Sequence, residues 1–181
     1  MISNKMQSLV ANSSIIRAMF DEGKRLAKIY GAENVYDFSL GNPNVEPPKV
    51  IKDSIKEILD NEVPNYVHGY MNNSGFEDVR TAIAAHESKK NNMDLSFESI
   101  VMTVGAAGGL NIVFKTLLNP GDEVITFAPF FGEYKSYAAN YDAHLVVVAA
   151  DIDTFEPNID ALKSAITPKT KIVIVNSPNN P

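Results

Sequence analysis

The sequence contains no cysteine. A disulfide framework, a thiol nucleophile and a cysteine-based metal site are therefore excluded, and the composition fits a reducing compartment. There is no basic block either: 16 lysines and arginines against 22 aspartates and glutamates give a formal net charge of −6. Such a chain offers no footprint for nucleic acid or for an anionic membrane surface, although a local pocket can still hold an anion. No apolar run approaches the roughly 20 residues that span a bilayer. Met1–Phe20 is polar and broken by Asn12-Ser13-Ser14, without the apolar core of a signal peptide. The three histidines, His68, His86 and His144, lack metal-ligand spacing. Internal repeats and low-complexity stretches are missing as well. These absences predict a cytoplasmic protein without nucleic-acid, membrane or metal chemistry.

What is present is ordinary for a globular chain: 181 residues, 45% hydrophobic and 21% charged, enough for one cored domain or a domain plus an appendage. Helical spacing of Ile15, Ile16, Met19, Phe20, Leu26 and Ile29 predicts a helix over 13–30. Val35–Leu40 reads as extended, Gly41-Asn42-Pro43-Asn44 as a turn, and Pro47-Pro48 as the start of a helix with Ile51, Ile55, Ile58 and Leu59 on one face. Residues 61–73 read as a loop long enough to suspect function. Ser74-Gly75-Phe76-Glu77 matches a capping box for a helix running to about Lys90, with Phe76, Val79 and Ile83 on one face.

After Ser96 strands and helices alternate. Ile100–Val104, Val124–Phe127, Leu145–Ala149 and Lys171–Val175 read as strands. The helices between them are one carrying Leu110, Val113, Phe114, Leu117 and Leu118, then Phe131–Asn140, then Ile159–Ile166. This predicts an α/β fold with a mostly parallel sheet and helices on both faces. Ligands of such sheets sit beyond the carboxyl ends of the strands.

Three strand-end loops carry candidate chemistry. In Thr103-Val104-Gly105-Ala106-Ala107-Gly108-Gly109 small residues open a helix, whose unpaired first-turn amides and dipole favour an anion. The segment is neither a P-loop nor a dinucleotide fingerprint, and a tightly packed strand–helix turn reads equally well. Ala128-Pro129-Phe130-Phe131 offers an aromatic face for a planar ligand, or two core rings. Asn176-Ser177-Pro178-Asn179-Asn180-Pro181 offers a side-chain amide, or simply turn chemistry.

In order, "SLGNPN", "YVHGYMNNSGFEDVR", "TVGAAGGL", "LNPGDEVITFAPFFGEY" and "ITPKTKIVIVNSPNNP" resemble the class I/II aminotransferases, aspartate aminotransferase-like members of the fold-type I group of pyridoxal 5'-phosphate (PLP) enzymes. The resemblance implies a transferase that binds PLP, takes an amino acid and a 2-oxo acid as substrates, and works as a homodimer. It implies that Gly105, Ala106 and Ala107 hold the cofactor phosphate, mainly through backbone amides. It further implies that Phe131 stacks on the pyridine ring, that Asn180 donates to the ring's phenolic oxygen, and that Tyr70 reaches the phosphate of the neighbouring subunit. Gly41 would meet the substrate carboxylate through its backbone. For Tyr70 and Gly41 the alternatives are a packed loop tyrosine and a turn glycine.

The family also needs a lysine that forms a Schiff base with PLP, an acidic residue at the pyridine nitrogen and an arginine for the substrate carboxylate. Lys115, Lys135, Lys163, Lys169 and Lys171 match none of its positions, and Arg17, Arg25 and Arg80 read as surface residues. The chain ends directly after a strand, so it reads as an N-terminal portion, inactive alone. Residues 1–45 would be an arm and small-domain segment, and 46–181 the first part of the PLP-binding large domain. Another fold-type I enzyme such as a lyase, a non-catalytic aminotransferase-like regulatory module and a nucleotide-binding α/β domain remain as alternatives. Aspartate with 2-oxoglutarate is the first expectation for substrates.

Overall fold

The computed structural model describes residues 1–11, 15–38, 41 and 45–180. The predicted helix start at Ser13–Ser14, the end of the extended piece at Ser39–Leu40, the turn residues Asn42–Asn44 and the terminal Pro181 lie outside them. Contacts divide the chain into two units, Met1–Gly69 and Tyr70–Pro181.

The first unit is helical. It contains α1 (Asn4–Ala11), α2 (Ile15–Tyr30), a single 3-10 turn at Ala32–Asn34, α3 (Lys49–Asn61) and α4 (Pro64–Val67). Helix α2 ends where Gly31 takes φ 86° and its amide donates to the Ala27 carbonyl at 3.0 Å. Only glycine enters that region without a Cβ penalty. Helix α3 starts directly after Pro48, as the Pro47-Pro48 pair predicts. Its apolar residues Ile51, Ile55, Ile58 and Leu59 are all exposed. Helix α4 is a single turn, opened by Pro64, inside the stretch expected to be loop.

The second unit contains α5 (Glu77–Asn91), a 3-10 turn at Phe97–Ser99, α6 (Gly105–Leu117), β1 (Glu123–Phe127), α7 (Glu133–Ala139), β2 (His144–Val148), α8 (Ile159–Ala165) and β3 (Thr170–Ile174). The three strands form one parallel sheet in the order β2-β1-β3. Asn119-Pro120-Gly121-Asp122 launches β1. Gly121 sits at φ 88°, the Asp122 amide closes the turn on the Asn119 carbonyl at 3.1 Å, and the Asp122 carboxylate accepts the Asn119 amide at 2.8 Å. Proline followed by a left-handed glycine is the residue pattern of a type II turn.

The core follows from strand and helix periodicity. Val124 pairs with Leu145 on one side and Ile172 on the other, so these three side chains share a face of the sheet. That face meets Phe114 of α6 and Ala138 of α7, with Leu110 and Leu118 four residues either side of Phe114. Ile125 points to the opposite face and is also fully buried, and α8 contacts β2. Each fully buried side chain of this size contributes about 1.5–3 kcal/mol.

Three expectations fail. The capping box does not form: the N-cap is Phe76, without a side-chain cap. Gly75 at φ 97° turns the chain away, and the Ser74 carbonyl instead accepts the Met102 amide at 3.0 Å. Ile100–Val104 is not a strand, because no strand pairs with it among the described residues. Arg80 is not a surface residue. It is only 6% exposed, and Nε donates to the Ile100 carbonyl at 2.8 Å while Nη2 donates to the Phe97 carbonyl at 2.7 Å. On α5 it shares the buried face with Ala84, whereas Val79 is exposed.

Candidate functional site

Helix α6 opens at Gly105 with φ 66°. The Gly105 amide donates to the Thr103 carbonyl and the Thr103 hydroxyl donates to the Gly105 carbonyl, both at 3.0 Å. This reciprocal pair uses up the Gly105 amide. The amides of Ala106 and Ala107 have no partner among the described residues, and both residues are exposed. They are orphan donors at the positive end of a 13-residue helix.

Connectivity fixes where that end lies. The carboxyl end of α6 leads through the Asn119–Asp122 turn into the start of β1, so α6 runs antiparallel to the sheet. Helix α7 leaves the far end of β1 and returns to the start of β2, so it runs the same way as α6. The two helices are joined by Asn111, whose side-chain oxygen accepts from Asn140 Nδ2 at 3.3 Å and from the Tyr141 hydroxyl at 3.4 Å. From that tie to Gly105 is about 9 Å of helix, and from it to Glu133 about 10 Å. The openings of α6 and α7 therefore stand level, both at the carboxyl end of the sheet.

Phe131 lies two residues before α7. It is 36% exposed, and its ring meets the edge of buried Tyr134 at 5.7 Å between centroids and 81° between planes. This near-perpendicular contact holds the ring while leaving it partly exposed. Phe130 is half-buried and lines a separate hollow with Lys135, Ala143 and Val147, so the second ring of the pair is the available one.

The loops after β1 and β3 are tied together. Asn179 Nδ2 donates to the Pro129 carbonyl at 2.7 Å. Beneath this strap a cleft of about 320 Å³ opens at the strand ends, lined by Thr126, Phe127, Pro129, Phe155, Asn176 and Asn179. Its lining stops one residue short of Asn180 and two short of Phe131. Phe155 reaches it from the Ala150–Pro157 bridge, a loop held by Asp151. The Asp151 carboxylate accepts the Thr154 and Asp153 amides at 2.9 Å, and these bonds hold its carboxyl below the usual range. Tyr137 is pushed the other way, by burial first and then by Glu133, so its phenol stays neutral in the α7 core. Among the described residues no cluster of histidine, aspartate and glutamate could hold a metal ion, and no helix is long and apolar enough to cross a membrane.

A model of the family "Aminotransferase class I and II" matches residues 32–181. The chain belongs to the class I and II aminotransferases. It is 30% identical over 174 residues to an aspartate aminotransferase of Pyrococcus horikoshii, covering 96% of this chain and 42% of that protein. It is 31% identical over 182 residues to an aromatic-amino-acid aminotransferase of Thermococcus litoralis, covering 95% of this chain and 42% of that protein. The fold superposes with a TM-score of 0.92 on an amino transferase of Eubacterium rectale at 40% identity, covering all of this chain and 46% of that one. The chain thus spans less than half the length of these aminotransferases.

Of the residues the sequence singles out in this aminotransferase chain, the structure brings three groups to one end of the sheet: Gly105–Ala107, Phe131 and the Asn180 loop. Tyr70, at the start of the second unit, is fully exposed. Gly41 belongs to the first unit and is exposed. Sequence reasoning missed Asn179, Asn111 and Arg80 as structural ties. For Arg80 a signal was there: it stands four residues after Phe76 and four before Ala84, a lone cation on an apolar helix face.

Proposed function

We propose that this chain supplies the phosphate side of the active site of a PLP-dependent aminotransferase, which moves an amino group from an amino acid to a 2-oxo acid. The observation that carries this reading is the pair of free amides at Ala106 and Ala107, opening a helix at the carboxyl end of a parallel sheet in a chain of this family. The residues fit the cofactor. Orphan amides and a helix dipole suit a phosphate. Apart from its chain neighbours and its own helix backbone, no described atom lies within 4 Å of where a Gly105 Cβ would stand, which leaves room beside them. A partly exposed aromatic ring suits a planar heterocycle.

When bound, PLP supplies an electron sink for the carbanion at the substrate's α-carbon. The chain's own residues bind and orient. Ala106 and Ala107 hold the phosphate by their backbone, and Gly105 supplies the left-handed turn that aims them outward. Phe131 stacks on the pyridine ring and fixes its plane. Asn180 donates its side-chain amide to the phenolic oxygen. Tyr70 reaches the phosphate of the neighbouring subunit in a homodimer, a role that its full exposure supports. Gly41 meets the substrate carboxylate through its backbone. None of these groups moves a proton, so residues 1–181 alone are expected to show no amino transfer. In the whole protein residues 1–45 belong to the arm and small domain, and 46–181 open the cofactor-binding domain. The cysteine-free composition supports a cytoplasmic location.

Aspartate with 2-oxoglutarate is the proposed substrate pair, supported by the name of the Pyrococcus horikoshii relative. The experiment is direct. Purified full-length protein should carry a visible chromophore that amino acids bleach, and should convert aspartate and 2-oxoglutarate to oxaloacetate and glutamate. Colourless protein that ignores added PLP sinks the reading. Release of pyruvate and ammonia without amino transfer would make it a lyase.

A further inference from the structure

The phosphate seat has two supports, and only one of them is the sheet. From its carboxyl side the seat is anchored by Leu110 and Phe114 of α6 against the core. From its amino side it hangs on Ile100–Val104, which has no ladder partner among the described residues and exposes Val101, Met102 and Val104. Such a segment has nothing of its own to fix it. What fixes it comes from the start of α5. The buried Arg80 guanidinium donates to the carbonyls of Phe97 and Ile100 at 2.7 and 2.8 Å, and lies over the Phe97 ring at 5.3 Å. The Ser74 carbonyl takes the Met102 amide at 3.0 Å. Gly75 makes room for this, since a Cβ there would strike the Met102 side chain. The next residue, Thr103, is the one that locks Gly105 from both sides.

We propose that Arg80 is a positioning residue for cofactor binding: it holds Phe97 and Ile100 so that the free Ala106 and Ala107 amides meet the phosphate. This rests on the aminotransferase reading above and adds to it a residue that never touches the ligand. Arginine suits the task because its planar fork reaches two carbonyls at once, and a lysine ammonium is a single point. The buried guanidinium has carbonyl and ring partners but no carboxylate among the described residues, and both of its hydrogen bonds and its ring contact go to this segment.

The test compares two ligands on the full-length apoprotein: PLP, and pyridoxal, which has the same ring without the phosphate. Affinities are measured for the wild type, Arg80→Gln and Arg80→Lys. A residue that acts through the phosphate seat weakens PLP alone. Arg80→Gln should lower PLP affinity about tenfold, the size of one charge-assisted hydrogen bond. Pyridoxal affinity should stay within a factor of about two on the same scale, and Arg80→Lys should fall between wild type and Arg80→Gln for PLP. Loss of both ligands in step, or of neither, would overturn the proposal. If Arg80→Gln does not accumulate as folded protein, Gly75→Ala disturbs the same grip from the other side. It should show the same selective loss of PLP, and an unselective loss or none counts against the proposal equally. A wild-type protein that takes up neither ligand overturns the functional reading. A wild type that prefers PLP by the same factor as its variants overturns this inference alone.

Discussion

Val124–Phe127 and Ile100–Val104 are alike on paper, each a short run of mostly β-branched residues ending in small residues and a turn. In the structure they share little. The first is the centre of a parallel sheet, hydrogen-bonded on both sides, with Val124 and Ile125 fully buried. The second has no ladder partner among the described residues, and is held at a few points by Arg80 and Ser74. Both lead into loops at the same end of the unit. A strand, then, is not a property of its own residues. β-propensity makes a run fit for a ladder, and a neighbour of the right register makes it one.

If that difference is real, the two runs should respond unequally to the same kind of change. Ile125→Ala empties a fully buried position in β1 and should cost about 2–5 kcal/mol in urea unfolding. Gly75→Ala forces a side chain into the left-handed region and against Met102, and should cost about 1–3 kcal/mol. It should also loosen amide exchange at Met102 while leaving Ile125 protected. Asn179→Ala removes the strap to Pro129 and should cost about 0.5–1.5 kcal/mol. Its effect should be read best as faster exchange in the loops after β1 and β3. Val101→Ala, the counterpart of Ile125→Ala in the unpaired run, should stay within about 0.5 kcal/mol. A cost for Val101 equal to that for Ile125 would mean that the two runs are supported alike.

The smallest effect is a pH response at the Ala150–Pro157 loop. The Asp151 carboxyl is held low by the Thr154 and Asp153 amides. The loop's support is therefore fully present above the ordinary aspartate range, and is lost as pH falls through the lowered folded value. Amide exchange at Asp153 and Thr154 should rise in acid relative to a neighbouring loop. Asp151→Asn, which keeps an acceptor oxygen, should remove the pH dependence.

Much of this was legible in the sequence. Short β-branched runs alternating with helices predicted β1, β2, β3 and their helices within a residue or two, because each run finds partners within the chain. The turn Asn119-Pro120-Gly121 was legible because proline and glycine dictate backbone angles locally. The loops after β1 and β3 were legible from topology, since a parallel sheet gathers its carboxyl ends, whereas the Gly105 loop follows no strand and is placed by helix α6. What was not legible depended on distant contacts. The Ser74–Glu77 pattern satisfied the capping rule but was diverted by Gly75 and Met102. Arg80 looked like a helix-surface cation until its carbonyl partners, 17 and 20 residues away, came into view. The single-turn α4 and the 3-10 turn at Phe97–Ser99 are too short to leave a periodic trace.

In the proposed function the free amides of Ala106 and Ala107 are where the cofactor's phosphate binds. A crystal structure of the full-length protein grown with PLP tests it most directly. Phosphate oxygens should lie about 2.7–3.2 Å from both amide nitrogens, with the Phe131 ring against the pyridine face. A phosphate bound elsewhere, with the Ala106 and Ala107 amides facing only water, would contradict it.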